Sequence, residues 1–215
     1  MLFRSIGIAF TYTEPLVWYE YVLAGAKEAR RRGLKTVLVT NGFVSLQPWL
    51  ELLDTIDAVN IDLKAFNTDF YRDNCKGSLE PVQEAIAAAV GKCHVEVTTL
   101  LIPGENSGKE EIDRLSTFLA GLNPQIPLHL SRYHPARQWQ QPATPPELIR
   151  DLAEIARQEL EFVYTGNLPG SYSAGTYCPQ CGQLLIQRGT SPGVLLSGNS
   201  CPRCKYRLSI PACKE

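Results

Sequence analysis

The chain has almost no net charge, few aromatic residues and no long apolar run, and each shortage removes a class of function. Its 21 Lys and Arg nearly cancel 22 Asp and Glu, leaving a formal charge of −1 over 215 residues. Such a balance gives no long-range field to gather nucleic acid or anionic lipid, so neither is expected as a partner. The one basic run, Arg30 to Arg32, reads as a solvated helix terminus, where cations suit the negative end of the dipole. Uncharged apolar stretches such as Ala85–Val90 fall far short of the roughly 20 residues that span a bilayer. Met1 to Ser5 leads directly into a strand-like run, without the apolar segment and small-residue cleavage site of a signal peptide. A cytoplasmic protein is therefore expected. Apolar residues make up 44% of the chain, which excludes a disordered or collagen-like polypeptide. The length allows one large α/β domain with a small appendage.

What is present is a rhythm. Runs rich in Val, Ile, Leu and Thr recur at Ile6–Tyr12, Thr36–Thr40, Ala58–Leu63, His94–Ile102, Leu128–Tyr133 and Phe162–Tyr164, and read as strands. Helical patterns lie between them. Pro15 to Arg32 carries Val17, Tyr21, Val22, Ala24 and Ala29 at helical spacing, stopped by Gly33 as a C-cap. Pro81 to Val90 has Pro in its first turn, and Ile112, Leu115, Leu119 and Leu122 mark a helix over 110–122. Thr144 is the expected N-cap of a helix running from Pro145 to about Glu159. Repeated strand–helix units with near-continuous apolar strands predict a parallel sheet covered by helices. Polar residues crowd at the C-terminal ends of the strands: Thr11, Thr13 and Glu14; Asn41; Asp62 and Lys64; Asn106; His134. That placement describes the mouth of a β/α barrel, and a partial barrel over 1–167 is expected.

After Asn167 the composition turns to Gly, Ser, Pro and Tyr. This predicts a linker over 168–175 and a small second domain over 176–215. In that domain Cys178-Pro-Gln-Cys181 and Cys201-Pro-Arg-Cys204 are separated by 19 residues. Two knuckles each supplying two thiolates satisfy tetrahedral zinc, and the predicted module is a zinc ribbon with short strands over Leu184–Gln187 and Val194–Leu196. A structural ion that folds a small module is the expected role, with docking of a partner as the other one. Four of the seven cysteines in ligand pairs is metal-binding usage in a reducing compartment. Cys75, Cys93 and Cys213 have no second thiol at ligand spacing and read as ordinary cysteines.

Five segments in order carry a resemblance: Gly7-Ile-Ala-Phe-Thr-Tyr-Thr-Glu-Pro15, Val39-Thr-Asn-Gly42, Asp57-Ala-Val-Asn-Ile-Asp-Leu-Lys64, Val95-Glu-Val-Thr-Thr-Leu-Leu-Ile-Pro-Gly104 and His129-Leu-Ser-Arg-Tyr-His-Pro135. Together they resemble the radical S-adenosylmethionine (SAM) enzymes related to the pyruvate formate-lyase activating enzyme. The radical SAM member of the AmmeMemoRadiSam system, which also tends to end in a Cys-x-x-Cys ribbon, is similar from Ile6 to about Ile210. The resemblance implies that SAM is cleaved reductively at a [4Fe–4S] cluster and that the resulting radical abstracts hydrogen from a protein glycyl or another C–H bond. It implies that Thr11, Thr13 and Glu14 receive the SAM amino group, a carboxylate and carbonyls suiting an ammonium. By the same resemblance Asn41 lies near the methionyl or ribose part. Asp62 and Lys64, two apart on one strand face, face SAM, Lys64 pairing with its carboxylate. His134 is implied to meet adenine or substrate.

Each of these residues also has an ordinary structural use. Glu14-Pro15 suits a helix N-terminus, Asp62 and Lys64 suit a mutual surface pair, and Asn41-Gly42 is a common turn. His94 and His129 read as core histidines.

The sequence departs from the family at one place. The Cys-x-x-x-Cys-x-x-Cys loop that holds the cluster is absent, together with the first βα unit that would carry it. The chain is therefore expected to be the C-terminal part of a longer radical SAM enzyme, inactive in isolation. The alternative expectation is a cluster-less module that binds SAM, a nucleotide or a protein and docks a partner through its ribbon.

Overall fold

Strands form where β-branched residues alternate with polar ones, and the resulting sheet is ordered as the sequence runs. The computed structural model describes residues 5–136, 139–168, 175–187, 193–194, 196 and 198–208. Six strands, β1 (Gly7–Phe10), β2 (Lys35–Thr40), β3 (Ala58–Asp62), β4 (His94–Leu101), β5 (Leu128–Arg132) and β6 (Val163–Gly166), make one sheet in the order β1-β2-β3-β4-β5-β6. The ladders β1–β2, β2–β3, β3–β4 and β5–β6 are all parallel. Parallel neighbours need a crossover, and the crossovers here are mostly helical. By density of internal packing the chain falls into two compact units, Met1–Thr99 and Leu100–Glu215.

In the first unit, a 3₁₀ turn (Pro15–Trp18) leads into α1 (Tyr19–Arg31), so the helix expected from Pro15 begins one turn later. Gly33 adopts φ +74° and ends α1, its N–H donating to the Arg30 carbonyl and that of Leu34 to Ala29. Two helices escape the strand-to-strand reading, α2 (Leu46–Leu53) and the short α3 (Thr68–Phe70), which runs on as a π-turn through Cys75. Both are short, and α2 carries Pro48 in its first turn. Its Trp49, fully buried, donates from Nε1 to the Ala85 carbonyl of α4 (Glu80–Ala89) at 2.9 Å.

Alternation along β2, β3 and β4 sets two faces with different chemistry. Leu38, Val59, Ile61, Val95 and Val97 are buried on one. Asn60, Asp62, His94, Glu96 and Thr98 lie half-buried on the other. The parallel register puts Asn60 beside Glu96 and Asp62 beside Thr98.

In the second unit, α5 (Lys109–Leu122) and α6 (Pro146–Ala156) cover β5 and β6. Thr144 does not cap α6. Pro145 occupies the cap position, while the buried Thr144 hydroxyl donates to the Leu101 carbonyl at 2.6 Å and accepts from the Tyr133 N–H at 3.2 Å. A buried hydroxyl gains more by serving two backbone groups than by capping an exposed helix end. Past β6, a separate antiparallel sheet joins β7 (Gly175–Tyr177), β8 (Leu184–Gln187) and β9 (Gly193–Val194). The expected strand Leu184–Gln187 is present. Of the expected Val194–Leu196 strand, Val194 lies in β9, Leu196 is outside a strand and Leu195 is outside the described residues; β7 lies where the sequence predicts linker and ribbon start. Most of the 168–175 linker, and Cys213, lie outside the described residues.

Candidate functional site

The exits of β1 and β2 are joined by one carboxylate. Glu14 has extended backbone and caps the 3₁₀ turn, its Oε1 accepting from Leu16 N–H at 3.1 Å. The same oxygen accepts from the Thr40 hydroxyl at 2.7 Å, and Oε2 from the Asn41 N–H at 2.8 Å. All three donors are neutral, so these bonds fix the carboxylate without cancelling its charge. Thr11 and Thr13 flank it with exposed side chains. The Asn41 side chain accepts from the Phe43 N–H at 2.8 Å, making the tight turn that its Asn-Gly sequence favours. Gly42 sits at φ +69°, and a Cβ there would stand 2.8 Å from Ile61 Cγ2, so this turn has no room for another residue.

At the end of β3, Lys64 Nζ and Asp62 Oδ2 are 2.6 Å apart, both about one-third exposed. Asp62 Oδ1 also accepts from Asn60 Nδ2 at 3.3 Å, and Asn60 Oδ1 accepts from the Thr98 hydroxyl at 2.7 Å. A polar ladder thus runs from β4 across to the β3 exit. The backbone N–H of Lys64 donates to the buried Tyr71 hydroxyl at 3.1 Å, tying the strand end to the helix that follows. Burial raises the Tyr71 phenol well above its ordinary value, with the charges of Cys75 and Asp62 adding to it against the Lys64 bond.

Within the first unit, then, Glu14 meets Asn41 and Asp62 meets Lys64. Thr40, Asn60, Thr98 and Tyr71 join them, although the sequence reading passed over all four. Asn60 was accessible to that reading, since it precedes Asp62 by two on the same strand. Thr98 and Tyr71 needed register and tertiary contact. His94, at the start of the same half-buried face, lies 3.0 Å from Glu96 Oε1. His134 belongs to the second unit, exposed just beyond β5. His129 is half-buried and stacks on Tyr164, ring centroids 5.2 Å apart.

The four ribbon cysteines converge. Their sulfurs all lie within 4.8 Å of one another, with Cys178 and Cys204 Sγ at 3.5 Å and Cys181 and Cys201 Sγ at 3.6 Å. Thiolates bound at ~2.3 Å around a tetrahedral ion stand close to these separations, so the donor set fits one such metal. Gly182 and Lys205, following the two knuckles, are both left-handed, at φ +70° and +64°. They let the Gly182 N–H donate to the Cys178 carbonyl and that of Lys205 to Cys201. Burial pushes the Cys201 thiol up, but backbone N–H groups of Cys204 and Arg203, with the neighbouring thiols, outweigh it and hold Cys201 at about 6.

Among the described residues, the ribbon is the one group of three or more ligating side chains placed to share a metal. Cys75 is exposed at the end of the π-turn, and Cys93 is half-buried before β4, its thiol raised to about 11 by burial and then by the charge of Asp57. The residues described do not build the cluster.

Comparison with known proteins places this geometry. A family model of the Radical SAM superfamily matches residues 3–116. The chain is 41% identical over 187 residues to the uncharacterized protein MJ0808 of Methanocaldococcus jannaschii, covering 85% of this chain and 55% of that one. It is 28% identical over 131 residues to the isethionate sulfite-lyase activating enzyme of Oleidesulfovibrio alaskensis, covering 60% of this chain and 42% of the enzyme. The chain thus spans about half the length of the curated relatives it matches. Among solved structures, a domain of a pyruvate-formate lyase-activating enzyme from Bacteroides vulgatus superposes with a TM-score of 0.65 at 22% identity, over 75% of this chain and 99% of that one. A radical SAM methyltransferase from Sphaerobacter thermophilus gives 0.59 at 19% identity, over 83% and 55%. These likenesses show the same α/β fold. With a family model that matches more than half of its residues, the chain belongs to the radical SAM superfamily.

Proposed function

We propose that this chain is the SAM-binding, C-terminal part of a radical SAM enzyme of the activating-enzyme kind, acting on a protein glycyl or another C–H bond. The observation that carries the reading is the Glu14 carboxylate, fixed at the β1 exit by three neutral donors and keeping its charge for an ammonium. In this reading Thr11, Thr13 and Glu14 hold the SAM amino group. Asn41 lines the methionyl or ribose part, Lys64 faces the carboxylate with Asp62 orienting it, and His134 meets adenine or substrate. When bound, SAM supplies the radical precursor; the residues of this chain bind and orient it.

The cluster that this chemistry needs is assigned to a βα unit ahead of Gly7. Among the described residues β1 ends the sheet with one edge unpaired. Beside it Ile6, Tyr12, Val17, Trp18 and Tyr21 are all more than two-thirds exposed, and Tyr12, Trp18 and Tyr21 line a groove of about 590 Å³. A strand edge and an apolar face left open together are what a further parallel strand and its helix would cover. In this reading the isolated chain does not cleave SAM. The domain plan follows: a partial barrel over 1–167, a linker over 168–175 and a ribbon over 176–215 whose four cysteines hold structural zinc in a cytoplasmic protein.

The test is the intact mass of the protein from its native cells, with SAM binding measured on the same material. A mass above that of these 215 residues, with upstream peptides containing Cys-x-x-x-Cys-x-x-Cys, is the expected result. A mass equal to the chain alone would overturn radical catalysis. Absence of SAM binding to the longer protein would overturn the site assignment.

A further inference from the structure

A second cavity opens where β2 and β3 end, and most of its lining has no role in the reading above. Its volume is about 320 Å³, and Asn41, Phe43, Lys64, Tyr71, Cys75, Lys76 and Gly77 line it. That is the lower end of the ~300–1,000 Å³ range of ligand sites. Two lysines line it: Lys64, which pairs with Asp62 just outside, and Lys76. Lys76 takes the left-handed position that ends the π-turn, at φ +55°, where glycine is the usual residue. Its Nζ donates to the Asp73 backbone carbonyl at 2.9 Å, which positions the ammonium, while the nearby Asp73 carboxylate is itself engaged by Arg72 at 2.7 Å.

The remaining walls are flat and apolar. Phe43 is half exposed. Its ring lies over Gly77, where an added Cβ would stand only 3.1 Å from Cε2, so the glycine lets the ring settle against the loop. The Gly77 N–H donates to the Tyr71 carbonyl and holds that loop closed. The exposed Cys75 thiol looks onto the same space.

We propose that this pocket holds the anionic group, carboxylate or phosphate, of a small molecule with a flat apolar body, gripped by Lys76 and stacked on Phe43. Its place beside Asn41 and Lys64 makes this molecule the substrate, a role that rests on the SAM reading; the anion site itself does not. Lysine binds such groups as a point charge, and an aromatic wall supplies most of the buried area.

Cys75 reports on occupancy without any turnover. The full chain is treated with iodoacetamide, and alkylation of the Cys75 peptide is followed by mass spectrometry with phenyl phosphate, phenylacetate, inorganic phosphate or SAM present at matched ionic strength. Phenyl phosphate or phenylacetate is expected to slow alkylation about tenfold or more at saturation, and inorganic phosphate much less. Protection by one of the two and not the other identifies the anion. Protection should be lost in Lys76→Gln, retained in Lys76→Arg and weakened in Phe43→Ala, each checked for folding by circular dichroism. Equal alkylation with and without both aromatic anions, or undiminished protection in Lys76→Gln, would overturn the proposal. So would competition between SAM and phenyl phosphate for the same protection, since the pocket would then belong to SAM. SAM binding is read separately by equilibrium dialysis; its failure with anion protection intact overturns the function proposed above and leaves the anion site standing.

Discussion

Glu14 and Thr40, 26 residues apart, meet through a 2.7 Å hydrogen bond that ties the β1 exit to the β2 exit. One carboxylate therefore has a structural duty and an electrostatic one, and two substitutions separate them. Glu14→Ala leaves three donors without their acceptor and removes the cap of the 3₁₀ turn, a cost of about 1–3 kcal/mol. Glu14→Gln keeps one oxygen for the Leu16 and Thr40 donors, removes the charge and sets an amide NH2 against the Asn41 N–H. Its urea unfolding should fall by about 1 kcal/mol, less than in Glu14→Ala, while SAM affinity drops about tenfold or more, the worth of a charged hydrogen bond. Equal SAM affinity in Glu14→Gln and wild type would reduce Glu14 to a structural clamp.

At the other end of the strands, Asp57 organises the start of β2. It accepts from Lys35 Nζ at 2.6 Å, from Thr36 N–H at 2.9 Å and from the Thr36 hydroxyl at 3.1 Å. Burial pushes the carboxyl up, but the Lys35 and Thr36 bonds together outweigh it, and the folded value is lowered. A lowered carboxyl stabilises the fold above its unfolded pKa of ~3.9, and that contribution disappears as pH falls through the folded value. Asp57→Asn should therefore cost about 1–2 kcal/mol at neutral pH and progressively less as pH drops below ~4. Urea unfolding of both proteins across that range measures it. A gap that stays constant with pH would show that packing, not charge, is lost.

Much of this fold was legible because parallel strands buried on one face announce themselves. Val37-Leu-Val-Thr40 is near-continuously apolar, Val95-Glu-Val-Thr98 alternates, and both become strands within a residue or so of expectation. α2 was not legible: at eight residues with a proline inside, its buried Trp49, Leu52 and Leu53 give barely two turns of pattern. Thr144 misled because an N-cap is a local signal, and a buried threonine answers instead to partners 11 and 43 residues away. The site divides similarly. The chemistry of Glu14, Asp62 and Lys64 could be named from their positions at strand ends. That Asn60 and Thr98 extend it depends on register, which no single strand contains.

The Asp62–Lys64 pair separates stability from binding. At one-third exposure such a pair contributes roughly 0–1 kcal/mol, so Lys64→Gln should leave the urea midpoint almost unmoved. If Lys64 meets the SAM carboxylate, the same substitution weakens SAM binding about tenfold, by the ~1.5–3 kcal/mol of a charge-assisted hydrogen bond. Equilibrium dialysis with labelled SAM gives the answer. Unchanged binding would return the pair to an ordinary surface contact.

The ribbon makes the sharpest prediction, because two of the five residues buried in its small core are ligands. Cys178, Cys201, Leu185 and Leu208 bury together with Phe162 at the start of β6. Tyr206, two residues past Cys204, donates to Glu161 at 2.5 Å and accepts from Gln125 Nε2 at 3.0 Å. A metal bound by the four thiolates would hold not only two knuckles but the residue that fastens them to the loops entering β5 and β6. One ion per chain should be found by elemental analysis, with zinc expected for a four-thiolate set. Because the ligands bind as thiolates, acid must expel the ion as protons compete. A chelator should do the same at neutral pH. In either case rapid amide exchange and proteolysis should appear over 176–208 while β2, β3 and β4 stay protected. Tyr206→Phe keeps all four ligands but loses both anchoring bonds. It should bind the same single ion yet free the ribbon from Glu161 at a cost of about 1–2 kcal/mol. Retained protection of 176–208 after complete removal of the metal would show that the shared apolar core, not the ion, folds this module.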